Sequence, residues 1–292
     1  MSADAPDIAA APPILPGLSA LAGRYDALVC DVWGVVHNGV AAYPAAVEAL
    51  TRFRAGGGAV VLVTNSPRRE DGVIEQLGEL GVTRDAFDSV VTSGELTFSR
   101  LVAHGAKRVH QIGPPRDVVF YEGTDIALVA PEEAEIVVCS GIEDEEEGQP
   151  EDYRARFEAM VSRGLTMLCA NPDIVVERGP RLLWCAGALA RVYGDLGGRV
   201  ELLGKPHQPI YDEAKRRIAA LRLGARVLAV GDGLATDVRG AVDHGIDVLF
   251  VIGGIHGHEF GGIETSDPRL IAARLASEGL RATACVPMLR WG

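Results

Sequence analysis

Four polar clusters in the 292-residue chain each end an apolar run or open a helix: Asp31, Thr64-Asn65, Lys205, and Asp232 with Asp237. Singly, each has a plain structural explanation. Asp and Thr-Asn commonly shape turns, Gly204-Lys205-Pro206 reads as a turn, and Asp232 and Asp237 can cap a following helix. Together they suit phosphoryl chemistry. Two carboxylates from different strands can hold a hard divalent cation such as Mg²⁺ and leave positions for water and a phosphate. A small hydroxyl and an adjacent amide can receive phosphoryl oxygens, and one lysine can neutralise charge on a transferring phosphoryl group. A carboxylate can also attack phosphorus itself, giving an aspartyl phosphate that water hydrolyses.

The elements that must position these groups are legible in the apolar pattern. In 26-DALVCDVWGVVHNG-39 the run Ala27 to Cys30 ends on Asp31. Pro44 suits the first turn of a helix that Gly56-Gly57-Gly58 stops. A second apolar run, 59-AVVLVTNSP-67, precedes a helix from Arg69 to Leu80. Such strands are too apolar to be half exposed, so the pattern predicts a parallel sheet covered on both faces. Right-handed crossovers place both strand ends on one edge, where open α/β sheets put their chemistry. The last third repeats the style. A helix over 211–221 leads to strand, acidic turn and helix in 226-RVLAVGDGLATDVRGAVDHG-245, then to an apolar run 247-DVLFVIGG-254. A helix over 267–279 follows, and 282-ATACVPML-289 fits one more strand. The middle, 82–183, is also mixed α/β, and its pattern fits either a continued sheet or an inserted second domain.

Composition narrows the function classes. The chain is 48% hydrophobic and 23% charged, enough to bury a core. A net charge of −12 argues against nucleic acid as a partner, which needs a basic face. Five scattered cysteines without a C-x-x-C pair fit reduced thiols in a cytoplasmic protein. No apolar run approaches the roughly 18 residues that span a bilayer, and the start lacks the basic region of a secretory signal. Residues 1–17, rich in Ala and Pro, are expected to be loosely ordered, and the acidic run 143–152 is expected to be a solvated loop. The segment 231-GDGLATD-237 begins like a dinucleotide fingerprint, but Thr236 stands at the third glycine and two carboxylates would repel a pyrophosphate. His256, His258 and Glu259 have ligand chemistry, yet a plain loop accounts for them. Trp184 and Cys185 read as packing residues.

The order of the clusters resembles the haloacid dehalogenase (HAD) superfamily, and within it the subfamily IIA hydrolases of the NagD and pyridoxal-phosphate phosphatase kind. Four stretches carry the resemblance: 28-LVCDVWGV-35, 61-VLVTNSP-67, 204-GKP-206 and 230-VGDGLATD-237. Two more look subfamily-specific, 91-VTSGE-95 and 170-ANPD-173 followed by 186-AGALA-190. The resemblance implies a Rossmann-like parallel-sheet core over residues 1–83 and 184–292, interrupted by an α/β cap of type C2 over 84–183. It implies that Asp31 is nucleophile and Mg²⁺ ligand, with metal ligation also by the Trp33 backbone carbonyl, by Asp232, and by Asp237 through water. Thr64 and the Asn65 backbone would bind the phosphoryl group, Lys205 would tie Asp31 to the phosphate, and Asn171 and Asp173 would lie on a substrate-facing cap loop. The partner would be a small phosphorylated metabolite, and a homodimer is an expectation of the same kind.

Trp33 departs from that pattern. Phosphatases of the family place a second Asp two residues after the nucleophile, where it protonates the leaving group and later activates water; an indole does neither. Losing a positioned acid/base costs roughly 10²–10⁴ in rate, less where the leaving group is good. Three readings stay open: an impaired or atypical Mg²⁺-dependent hydrolase, a non-catalytic phosphoryl-ligand module that keeps the metal site, and a dehalogenase, against which Asp232 and Asp237 speak.

Overall fold

A computed structural model describes residues 11–178, 181–254, 257–261 and 265–292. Two compact units are present, one comprising the chain up to Leu62, Leu80–Ser89 and Lys215–Gly292, the other Val63–Glu79 and Val90–Ala214. No helix among the described residues is long and apolar enough to cross a membrane.

In the first unit, Ala284–Val286, Asp247–Val251, Val227–Gly231, Ala27–Cys30 and Ala59–Thr64 lie side by side in that order, all parallel. The register pairs Ala27 with Val227 and Ala59, and Cys30 with Val230 and Leu62. Every residue of Ala27–Cys30 and Ala59–Thr64 is buried, as continuous apolar runs require. The chain leaves Ala27–Cys30 for Ala59–Thr64 on one side, and Val227–Gly231 lies on the other. The carboxyl ends of Ala27–Cys30 and Val227–Gly231 therefore flank a topological switch point, the place such sheets bind ligands.

The second unit has its own parallel sheet, in the order Arg199–Leu202, Thr166–Cys169, Ile136–Cys139, Arg108–Ile112, Ala127–Leu128. Phe157, Met160, Leu189 and Tyr193 from the helices Arg154–Ser162 and Ala186–Asp195 pack on it with Val137 and Met167. Val175–Arg178 and Arg181–Trp184 form an antiparallel hairpin that the sequence pattern did not suggest.

The expectation of a loose start needs correction for residues 13–15. Ile14 forms a parallel bridge with Cys285, whose amide donates to the Pro13 carbonyl and whose carbonyl accepts from the Leu15 amide, both at 2.8 Å. Ala and Pro content signalled disorder, but backbone pairing with a sheet edge does not depend on side-chain type. Residues 1–10 lie outside the described residues. Trp184 is also no packing residue: it is exposed, and its indole N–H donates to Gln149 at 3.1 Å.

Candidate functional site

The first cluster is built at the switch point. The Asp31 amide donates to the Val230 carbonyl at 2.8 Å, continuing the parallel ladder one residue beyond the strand. That fixes the Asp31 backbone beside Gly231 and Asp232. One carboxylate oxygen of Asp31 accepts from the Val32 amide at 2.7 Å. Asp237 arrives on a single π turn, Leu234–Val238, in which the Val238 amide donates to the Gly233 carbonyl. Such turns recur at functional sites because they re-aim one side chain. Here Asp237 Oδ2 swings back to accept from the Gly233 amide at 3.0 Å. One carboxylate oxygen each from Asp31, Asp232 and Asp237 then lie within 4.8 Å of one another.

Glycines make the room. A Cβ at Gly34, whose φ is +83°, would fall 2.3 Å from Asp232 Oδ2, and one at Gly254 would fall 1.8 Å from the same atom. A Cβ at Gly231 would strike the Asp237 side chain at 2.3 Å. Asp232 and Asp237 are buried, and carboxylates so close repel by about 3 kcal/mol per pair at an effective dielectric near roughly 20. A divalent cation removes that repulsion, and three hard oxygen donors with no sulfur or imidazole suit Mg²⁺. The donor set therefore fits the ion that the sequence led us to expect. Asp232 also acts on Tyr43, whose hydroxyl pKa is raised by burial and by that charge.

Trp33 faces away from a proton-transfer role. Its benzo ring covers Gly39, where a Cβ would come within 2.3 Å of the ring. Its edge meets the His37 ring at 5.3 Å between centroids and 73° between planes. His37 is buried, which depresses its pKa to about 4, and its Nδ1 accepts from the Gly39 amide at 2.9 Å. The loop thus holds Trp33 by packing against His37 and Gly39.

The second cluster lies within the second unit and joins three distant segments. Asn65, buried, donates through Nδ2 to Asp173 Oδ1 at 2.8 Å and to the Lys205 carbonyl at 3.2 Å. Its Oδ1 accepts from the Lys205 amide at 2.6 Å, so the side-chain amide pairs with the Lys205 backbone on both edges. A Cβ at Gly204 would fall 2.3 Å from Asn65 Oδ1. Asn171 shapes the turn, its Oδ1 accepting from the Asp173 amide at 3.0 Å. Lys205 and Thr64 are buried, and Thr64 Oγ1 accepts from the Ser66 amide at 3.2 Å.

The two further stretches singled out in the sequence brace this cluster. The Gly187 amide donates to the Asp173 carbonyl at 3.1 Å, and a Cβ at Gly187 would meet the Pro172 carbonyl oxygen at 2.1 Å. Thr92 caps the helix Ser93–His104 by accepting from the Glu95 amide, and its hydroxyl donates to the Arg68 carbonyl at 2.8 Å. Glu95 holds Arg69 through two nitrogens at 3.1 Å each. Sequence reasoning missed Gly34, Gly254, Tyr43 and Glu95; the glycines and Glu95 stood in quoted motifs or their flanks, but their neighbours did not. Of the histidine-rich loop, His258 is exposed, Glu259 pairs with Arg274 at 2.9 Å, and His256 lies outside the described residues. Among the described residues, Asp31, Asp232 and Asp237 are the one group with metal-ligand spacing. All five cysteines are buried, and none forms a disulfide.

Known proteins share this organisation. A family model described as haloacid dehalogenase-like hydrolase matches residues 28–127, and one described as HAD-hydrolase-like matches residues 202–277. Ribonucleotide monophosphatase NagD of Escherichia coli (strain K12) is 26% identical over 233 residues, covering 78% of this chain and 88% of that protein. The crystal structure of a hydrolase of the haloacid dehalogenase-like family from Brucella suis 1330 matches with a TM-score of 0.82 at 48% identity, over 94% of this chain and 100% of that one. Glycerol phosphate phosphatase from Mycobacterium tuberculosis, in complex with magnesium, matches with a TM-score of 0.64 at 25% identity, over 85% of this chain and 74% of that one.

Proposed function

The chain belongs to the haloacid dehalogenase-like hydrolase family, and from that premise we propose that it is a Mg²⁺-dependent phosphatase of small phosphorylated metabolites, working through an aspartyl phosphate on Asp31. The observation that carries this reading is the trio of carboxylate oxygens within 4.8 Å, two of their residues buried. Asp31, Asp232, the Trp33 carbonyl and, through water, Asp237 would hold the ion, which when bound draws charge from phosphoryl oxygens.

The remaining steps belong to the chain's own groups. Thr64 and the Asn65 backbone bind the phosphoryl oxygens, and Lys205 neutralises their charge. An Asp31 carboxylate oxygen forms a bond to phosphorus as the ester P–O bond breaks, and the electron pair leaves with the ester oxygen. Water then attacks the phosphorus of the aspartyl phosphate, releasing inorganic phosphate and restoring the carboxylate. Asp173 acts through Asn65, and Asn171 shapes the turn that carries Asp173. Trp33 donates no proton in this scheme, so substrates whose leaving group departs as a stabilised anion react fastest. Residues 84–183 form the cap, of type C2, in the core of 1–83 and 184–292. A cytoplasmic location and a homodimer are part of the same proposal.

Hydrolysis of p-nitrophenyl phosphate with Mg²⁺, set beside the Asp31→Asn variant, tests the reading; equal rates for the two proteins would refute it. Trp33, held by packing against His37 and Gly39, favours one second reading, a phosphoryl-ligand binding module without turnover. Thermal stabilisation by a phosphate metabolite that stays intact would select it. Release of halide from 2-haloacids would point to a dehalogenase instead.

A further inference from the structure

The segment that follows Thr64 and Asn65 is anchored to the start of one helix, Ser93–His104, and all of these residues belong to the second unit. The Gly94 amide donates to the Ser66 carbonyl at 3.0 Å, and the Ser66 amide in turn donates to Thr64 Oγ1 at 3.2 Å. The Thr92 hydroxyl donates to the Arg68 carbonyl at 2.8 Å. Glu95 completes the set. Its carboxylate accepts from Arg69 Nε and a terminal Arg69 nitrogen at 3.1 Å each, and from the Glu70 amide at 3.3 Å. The approach is so close that a Cβ at Gly94 would fall 2.1 Å from the Pro67 carbonyl oxygen and 2.3 Å from that of Arg68. The Glu95 amide is itself capped by Thr92 Oγ1 at 2.9 Å. That puts the carboxylate on the first turn, where the positive end of the helix dipole favours it.

An ion pair between partly exposed side chains ordinarily adds little, unless the guanidinium is gripped through two nitrogens and cannot wander. Here a ring holds it as well. The Arg69 guanidinium lies 3.7 Å from the centre of the Phe98 ring, one turn beyond Glu95 on the same helix. Phe98 meets Phe120 edge to face at 5.7 Å between centroids, and Phe120 is buried with Leu101, Val109, Ile136 and Leu168 on the sheet of the second unit. Further along the helix, Arg100 grips Glu201 through two nitrogens, in the strand that leads to Gly204 and Lys205. A guanidinium offers both the fork that Glu95 needs and a flat face for the ring; an ammonium offers neither. Contacts therefore run from the Phe120 cluster through Phe98 and Arg69 to Glu95, and from the Gly94 amide through Ser66 to the Thr64 hydroxyl, without leaving the second unit.

We propose that Arg69 and Glu95 are positioning residues for the phosphoryl-binding loop: joined to each other and stacked on Phe98, they hold the Thr64 hydroxyl and the Asn65 backbone where a phosphoryl group meets them. That role rests on the phosphatase reading above; the clamp itself does not. Donors fixed before the substrate arrives need no reorganisation in the transition state, and a misplacement of about 1 Å costs on the order of 10²-fold in rate. The test measures affinity for inorganic phosphate, by calorimetry with Mg²⁺, and turnover of p-nitrophenyl phosphate in wild type, Glu95→Gln, Arg69→Lys and Arg69→Met. Glu95→Gln removes a negative charge beside an anion-binding loop, which by Coulomb attraction alone would tighten phosphate. Loss of position gives the opposite sign, a fall of about tenfold or more in phosphate affinity and in kcat/KM. Arg69→Lys keeps the positive charge yet should fall most of the way to Arg69→Met, and Arg69→Met should add little in the Glu95→Gln background. Tighter phosphate binding in Glu95→Gln, an Arg69→Lys protein that matches wild type, or a drop in unfolding temperature alone would overturn the proposal. Amide hydrogen exchange over residues 64–70 needs no ligand and should quicken in all three variants. A wild type that neither binds phosphate nor turns over, with exchange still faster in the variants, sinks the phosphatase reading alone. Wild-type turnover with exchange, affinity and kcat/KM unchanged in the variants sinks the clamp alone.

Discussion

The Asn65 amide nitrogen and Asp173 Oδ1 lie 2.8 Å apart although 108 residues separate them in the chain. Asn65 spends its remaining hydrogen-bonding capacity on the Lys205 backbone. Asp173 therefore reaches Lys205 through Asn65. Asp173→Ala should leave a buried amide short of one acceptor, costing about 1–3 kcal/mol and visible in urea unfolding. Turnover should fall through kcat with KM little changed, and Asp173→Asn, which keeps an acceptor oxygen, should recover most of it. Loss confined to KM would instead mean that Asp173 touches substrate directly.

Gly254 tests the carboxylate trio from the other side. A Cβ there meets Asp232 Oδ2 at 1.8 Å, so Gly254→Ala must displace that carboxylate. Mg²⁺ affinity, read from the rise in unfolding temperature with added metal, should weaken by about tenfold or more. Gly78→Ala, in a helix with open space around it, should leave the metal response as it is.

Mg²⁺ itself should raise stability in the wild type, by about 2.7 kcal/mol at 100 times its Kd. EDTA should reverse the effect, and Asp232→Asn should abolish most of it. An unfolding temperature indifferent to Mg²⁺ would argue that the trio holds no such ion.

His37 supplies a pH dependence. Burial lowers its folded pKa from 6.5 to about 4. Between those values the unfolded chain binds more protons than the folded one, so stability rises with pH there and is lost as pH falls from 6.5 toward 4. The loss is on the order of 3 kcal/mol. His37→Gln should flatten that part of the stability profile, measured by urea unfolding at pH 4.5 and 7.

Trp33→Asp places a carboxyl where the family's phosphatases have one. Turnover of alkyl phosphates should rise by about tenfold or more, up to the roughly 10²–10⁴ of a well-positioned acid/base, and p-nitrophenyl phosphate should gain less. An unchanged alkyl-to-aryl rate ratio would count against a leaving-group defect at this residue.

Much of this was legible in the sequence where local pattern decides structure. The apolar runs before Asp31 and Thr64 became buried parallel strands because their residues cannot tolerate water on either face. Asp31, Asp232 and Asp237 converge because strand ends in such sheets share an edge. Long-range pairing was not legible. Nothing local to Asn65 announces Asp173, and nothing in 175-VVERGPRLLW-184 distinguished a hairpin with exposed Leu182 and Trp184 from a coil. The π turn under Asp237 is also invisible to periodicity, which counts residues and not the direction of a single carboxylate.

The Ile14–Cys285 bridge has a bearing on handling. Cys285 turns its amide and carbonyl toward Pro13 and Leu15, so this short segment seals the outer rim of the sheet. Trimming the chain past Leu15 would strip that cover and leave Ala284–Val286 as a naked border of unspent donors and acceptors. Such a border templates pairing with another chain. Preparations shortened at this end should precipitate on concentration even where their catalytic groups are intact.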